Sequence, residues 1–146
     1  MITTVLTNTT TAIFLLAVTL LIAPLAVADD NRVKVIANSN TNLSSLSSSE
    51  VRQIYMGGTL SRRFQAVTLP VEHPLRKTFN VSVIGLTENR IQSYWAQLLF
   101  TGRSTPPKEL SSIADAINFV IKEPAAIAYV SSDTLLPEGV IVVFER

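Results

Sequence analysis

Cysteine is absent from this chain and histidine occurs once, at His73. The first absence rules out a disulfide framework, and the two together exclude a structural zinc site, which needs several thiolate or imidazole ligands. Charge is missing from residues 1–28, with all twelve Lys/Arg and all eleven Asp/Glu coming later, so residues 29–146 are close to neutral as a group. A basic stripe with interleaved aromatics is also missing, which argues against nucleic acid as a partner. Arg62-Arg63 is explained by a solvated loop. Catalytic signatures are lacking as well: there is no G-x-S-x-G elbow, H-E-x-x-H pair, P-loop or glycine-rich dinucleotide fingerprint. The expectation is a non-enzymatic chain with no cofactor and no metal.

What is present begins with a short apolar run, Ile13 to Ala23, interrupted by Pro24 and then the small-x-small triplet Ala26-Val27-Ala28. That layout predicts a secretory signal over residues 1–28, cleaved after Ala28, and a mature domain over 29–146 that is periplasmic or secreted. The alternative is an uncleaved anchor, although the run falls short of the roughly 20 apolar residues that a spanning helix needs.

Within the mature region, Val33 to Asn38 reads as a strand. Ser47 and Glu50 predict a capping box, with Leu46 stapling onto Val51, for a helix that buries Val51, Ile54 and Tyr55 and stops at Gly57-Gly58. Ala66 to Val71 is a second strand. Pro74 suits the first position of a helix in which Leu75, Phe79 and Val83 recur before Gly85. Thr87 caps a third helix with Ile91, Tyr94, Trp95, Leu98 and Leu99 on one face, ended by Gly102. Ser112 and Asp115 open a fourth carrying Ile113, Ala116, Ile117, Val120 and Ile121, and Pro124 stops it. Ile127–Val130 and Val140–Phe144 are strands. Helices interspersed among apolar strands predict one α/β layered domain without internal repeat.

Five segments in this order resemble the phosphate-type substrate-binding proteins of ABC transporters: LSSSEVRQIYMGG (46–58), VTLPV (67–71), RKTFNVSVIG (76–85), YWAQLLFTGRSTPPK (94–108) and PAAIAYVSSDTL (124–135). The likeness covers nearly all of residues 29–146. It implies a three-layer α/β/α sandwich similar to one lobe of a type 2 periplasmic binding protein, with no counterpart here of the other lobe and its anion-binding loops. In the larger family a Ser-Gly-Thr stretch followed by Arg, and by Phe three residues on, cradles the oxyanion at a helix start. The matching segment is His73-Pro74-Leu75-Arg76-Lys77-Thr78-Phe79, in which Arg76 and Phe79 fall on family positions and His73, Pro74 and Leu75 replace Ser, Gly and Thr. Two hydroxyls are thereby lost, proline offers no N–H, and Glu72 adds negative charge beside the site.

The resemblance thus implies Arg76, Lys77 and Thr78 as ligand-binding residues for phosphate or another small oxyanion, with Arg76 able to grip it through a forked pair of bonds. Against this stand plainer readings: Arg76 as a surface charge, Lys77 and Thr78 as surface and cap residues, His73 as a helix cap, Tyr94 and Trp95 as core, Asp115 as a capping partner. Two functions are weighed, of which the first is the expected one and the second the alternative. One is an exported module that binds or relays an oxyanion for an ABC transporter, its cleft completed by a partner surface or a homodimer. The other is a non-catalytic interaction or sensor-accessory module with a degenerate ligand site, presenting to a membrane transporter or sensor.

Overall fold

Strand β4 (Ala126–Ser131) is buried along almost its whole length, which a strand achieves only when both faces of its sheet are covered. A computed structural model describes residues 32–146 and shows how this comes about. The expected signal segment, residues 1–28, lies outside the described residues. Five strands form one mixed sheet in the order β3-β2-β4-β1-β5. β1 (Val33–Asn38) runs antiparallel to both β4 and β5 (Val140–Glu145). β2 (Gln65–Thr68) runs parallel to β4 and to the two-residue β3 (Lys108–Glu109).

Period-two alternation sorts the strand side chains to two faces. Val33, Val35 and Ala37 of β1 and Ile127 and Tyr129 of β4 share one core with Val51, Ile54 and Tyr55 of helix α1 (Ser48–Tyr55). Phe79 of α2 (Pro74–Phe79) and Ile91 and Trp95 of α3 (Glu88–Phe100) belong to the same core. On the other face Ile36, Val67, Ala126, Ala128 and Val130 pack on Ala116 and Val120 of α4 (Ile113–Lys122). Helices on both sides of one sheet make the expected three-layer α/β/α arrangement.

Local chemistry places the helices. At α1, the Glu50 N–H donates to Ser47 Oγ at 3.2 Å while Glu50 Oε2 accepts the Ser47 N–H at 2.7 Å, the reciprocal box read from the sequence. Leu46 is buried beside Val51 in the same core. Ser47→Ala removes one arm of that box and is expected to cost about 1 kcal/mol. In thermal melting this would read as a fall of roughly 4 °C for a domain of this size. Pro74 begins α2 and His73 caps it. α4 starts from Ser112, whose Oγ accepts the Asp115 N–H at 3.1 Å.

Some expectations change. The second strand is Gln65–Thr68 rather than Ala66–Val71, because beyond Thr68 the chain leaves the sheet: the Leu69 N–H donates to Tyr129 Oη instead of to a strand. α2 runs on into a π-helical turn, Asn80–Ile84, closed by Gly85 at φ +76°, a left-handed conformation that glycine adopts without strain. Thr87 occupies the cap position of α3, but its side chain makes no capping bond. Leu99 and Ile121, expected in buried stripes, are 51% and 41% exposed, each in the last turn of its helix.

Candidate functional site: a cleft with a self-paired arginine

The parallel strands β2 and β3 end at Thr68 and Glu109, and both residues border a cleft of about 390 Å³. The carboxyl ends of parallel strands are where open α/β sheets form ligand crevices, because the chain must leave the sheet there. Phe79 and Tyr55 line the cleft, with Ile91, Trp95 and Leu99 of α3 and with Pro106-Pro107 before β3. Phe79 stacks on Tyr129 at 4.0 Å between ring centres, with the ring planes nearly parallel, and Tyr55 meets Phe79 edge-on at 4.7 Å. The Tyr55 hydroxyl donates to Val67 O at 3.1 Å, so this aromatic group also ties α1 to the sheet. Gly57 lets Trp95 approach: a Cβ there would lie 3.0 Å from the indole.

Arg76 borders this cleft, and only 9% of it is exposed. Its guanidinium is engaged by the protein itself. Nε donates to Glu88 Oε2 at 2.9 Å and Nη2 to Glu88 Oε1 at 2.6 Å, a two-bonded fork onto one carboxylate. Nη1 donates to Leu69 O at 2.6 Å and to Glu109 Oε2 at 2.9 Å. A guanidinium has five N–H groups, so a single Nη2 N–H is uncommitted among the described residues. Asn80 Nδ2 donates to Glu88 Oε2 at 2.6 Å and Gln92 Nε2 to Glu88 Oε1 at 2.9 Å. Two carboxylates facing one guanidinium leave this polar group net negative. Burial by itself pushes the Glu88 carboxyl up, but the bonds from Arg76 and Gln92, the Arg76 charge and the Asn80 bond outweigh it and hold it below the usual range. Burial likewise opposes the Arg76 charge, and the Glu88 carboxylate more than compensates, so its affinity for the proton rises.

The start of α2, where the sequence resemblance led one to expect an oxyanion, has its donors used. Pro74 has no N–H, the Leu75 N–H donates to His73 Nδ1 at 3.2 Å, and the Arg76 N–H donates to His73 O at 3.0 Å. Of the three residues that the resemblance pointed to, the structure brings only Arg76 to the cleft lining. Lys77 is exposed, and Thr78 Oγ1 turns back to donate to Pro74 O at 3.3 Å. His73 is a cap, Trp95 is core, and the Tyr94 hydroxyl donates to Met56 O at 2.7 Å. Glu88, Glu109, Asn80 and Gln92 were not singled out from sequence. Asn80, four residues after Arg76 and on its helix face, and Gln92, four after Glu88, were the available signals.

No protein-family profile matches the chain, and no curated protein matches it in sequence. Among solved structures, an ABC-type phosphate transport receptor from Vibrio cholerae aligns over 76% of this chain with a TM-score of 0.57 and 16% sequence identity. The chain folds like part of a phosphate transport receptor. It covers 44% of that receptor's length, so more than half of the receptor has no counterpart in the alignment. At this identity the likeness is one of fold.

Proposed function

We propose that this chain is an exported, non-catalytic interaction module of the phosphate-receptor fold, whose cleft meets a membrane transporter or sensor protein rather than capturing free phosphate. The observation that carries this reading is the Arg76 guanidinium forked onto Glu88 and bonded to Glu109, which leaves a net negative group where an oxyanion would need a positive one. The cleft around it is walled by aromatic, aliphatic and proline side chains. Phe100, the last residue of α3, is 94% exposed. A phosphate entering would have to displace a carboxylate already held at short range, and it would meet a second one, Glu109, bonded to the same guanidinium.

A second reading retains an oxyanion at Arg76, because that side chain does border the cleft at the carboxyl end of β2. Calorimetric titration of the purified protein with phosphate at low salt separates the two. The interaction reading predicts no saturable heat. A saturable response that disappears in an Arg76→Ala variant whose helical signal shows it to be folded would establish the oxyanion reading, with Arg76 as its grip and Lys77 and Thr78 as the neighbours to test next.

A further inference from the structure

The Glu88 carboxylate is held as a bound anion is held. Each of its oxygens accepts two hydrogen bonds: Oε1 from Arg76 Nη2 and Gln92 Nε2, and Oε2 from Arg76 Nε and Asn80 Nδ2. The donors come from different elements. Arg76 lies on α2 and Asn80 opens the π-helical turn, four residues on and on the same face, while Gln92 lies on α3 one turn after Glu88. Arg76 and Asn80 are 9% and 6% exposed, so their positions are set by packing rather than by solvent. The arrangement is planar in its demand: the edge of a guanidinium presents Nε and Nη2 in parallel, which matches the two oxygens of a carboxylate.

We infer that Arg76, Asn80 and Gln92 form a carboxylate-binding cradle that the chain fills with its own Glu88 side chain as a built-in ligand. The cradle is selective for a planar carboxylate over a tetrahedral phosphate, and it opens to an outside ligand when the Glu88 side chain is withdrawn. This deepens the proposed function and rests on it, since it explains why the arginine is unavailable to free anions. Removing the carboxylate leaves buried donors that no other group satisfies: Asn80 Nδ2 has Glu88 as its one acceptor among the described residues. Buried donors without acceptors carry the full cost of their lost solvation, and that cost becomes affinity for whatever anion fits the vacated space. Truncation at Cβ frees room for a carboxylate with a methyl group, which makes acetate the probe.

The test is thermal melting of Glu88→Ala in rising sodium acetate, compared with sodium chloride at equal ionic strength and constant pH near neutrality. The unaltered protein and the double variant Arg76→Met/Glu88→Ala serve as controls. Expected is a saturable rise of roughly 4 °C for Glu88→Ala once acetate exceeds its dissociation constant about fivefold. Phosphate should give a smaller rise, and both controls should gain nothing beyond the chloride effect. If Glu88→Ala does not fold in chloride, recovery of its helical signal in acetate is the same readout. An acetate effect no larger than that of chloride, or an unfolded chain in both salts, overturns the cradle. Equal recovery in the double variant overturns it too. Glu109→Gln provides an independent check. It leaves the cradle filled, so it should bind neither acetate nor phosphate, and binding by this variant would assign the blocking role to Glu109 instead. Phosphate binding by the unaltered protein would overturn the proposed function as well, whereas failure of acetate recovery alone overturns only the cradle.

Discussion

Arg76→Met should destabilise the protein by about 3 kcal/mol, although methionine keeps much of the arginine's apolar stem. The Arg76 side chain is 10% exposed and that of Glu88 21%. Removing one partner of an ion pair this far from water leaves the other charge without compensation, and the typical cost is roughly 3–5 kcal/mol. The lower end applies because Glu88 retains some solvent and the bonds from Asn80 and Gln92. The Glu109 contact adds little, since that side chain is 53% exposed and exposed pairs are worth at most about 1 kcal/mol. Urea unfolding of the variant and the parent measures the difference. The pH dependence has a fixed sign. The folded-state pKa of Glu88 is lowered, so its contribution is complete above the usual glutamate range and is lost as pH falls through the depressed value. Arg76→Met removes the main cause of the depression, so its stability should fall less steeply over that acid window than the parent's.

Phe79→Ala is expected to cost about 3–5 kcal/mol, the range for deleting a buried aromatic ring and leaving a cavity. Phe79 is 1% exposed, lies flat against Tyr129 and meets Tyr55 edge-on, so the lost ring has contacts on both sides. Tyr55 and Tyr129 are held in place by hydroxyl bonds to the backbone at Val67 and Leu69, which prevents them from collapsing into the vacated space. Phe79→Leu, which retains most of the volume, should cost clearly less. Denaturant midpoints of the two variants provide the comparison. Equal small losses in both would mean that the aromatic group does not organise the floor of the cleft.

Much of the fold was legible because short-range rules specify it. The capping box at Ser47 and Glu50, the start of α2 at Pro74 and the left-handed stop at Gly85 are written in neighbouring residues, and the structure shows each of them. The apolar runs of β1 and β4 marked both strands, and a run without regular polar interruption is what a strand covered on two faces needs. Even the π-helical turn left a trace. Leu75, Phe79 and Val83 recur every four residues, wider than the 3.6-residue turn of an α-helix, and an underwound segment keeps Phe79 and Val83 on the buried face.

The site was far less legible, for a physical reason. Arg76 and Glu88 are separated by twelve residues and Arg76 and Glu109 by thirty-three, and no local periodicity links them. Their meeting depends on where the chain brings the start of α3 back to α2 and on where the two residues of β3 join β2. That strand is too short to give a pattern of its own. The sequence resemblance singled out Arg76 as a ligand grip, and only the fold reveals that a carboxylate of the same chain occupies its fork.

The central claim is that Arg76 is committed to Glu88, and a double-mutant cycle tests it most directly. The unfolding free energies of the parent, Arg76→Met, Glu88→Gln and the double variant give the coupling between the two side chains. The account predicts a coupling of about 2–3 kcal/mol, near the upper end of what contacting residues show. A coupling below about 0.5 kcal/mol, the level of independent sites, would contradict it and return Arg76 to the role of a free ligand grip.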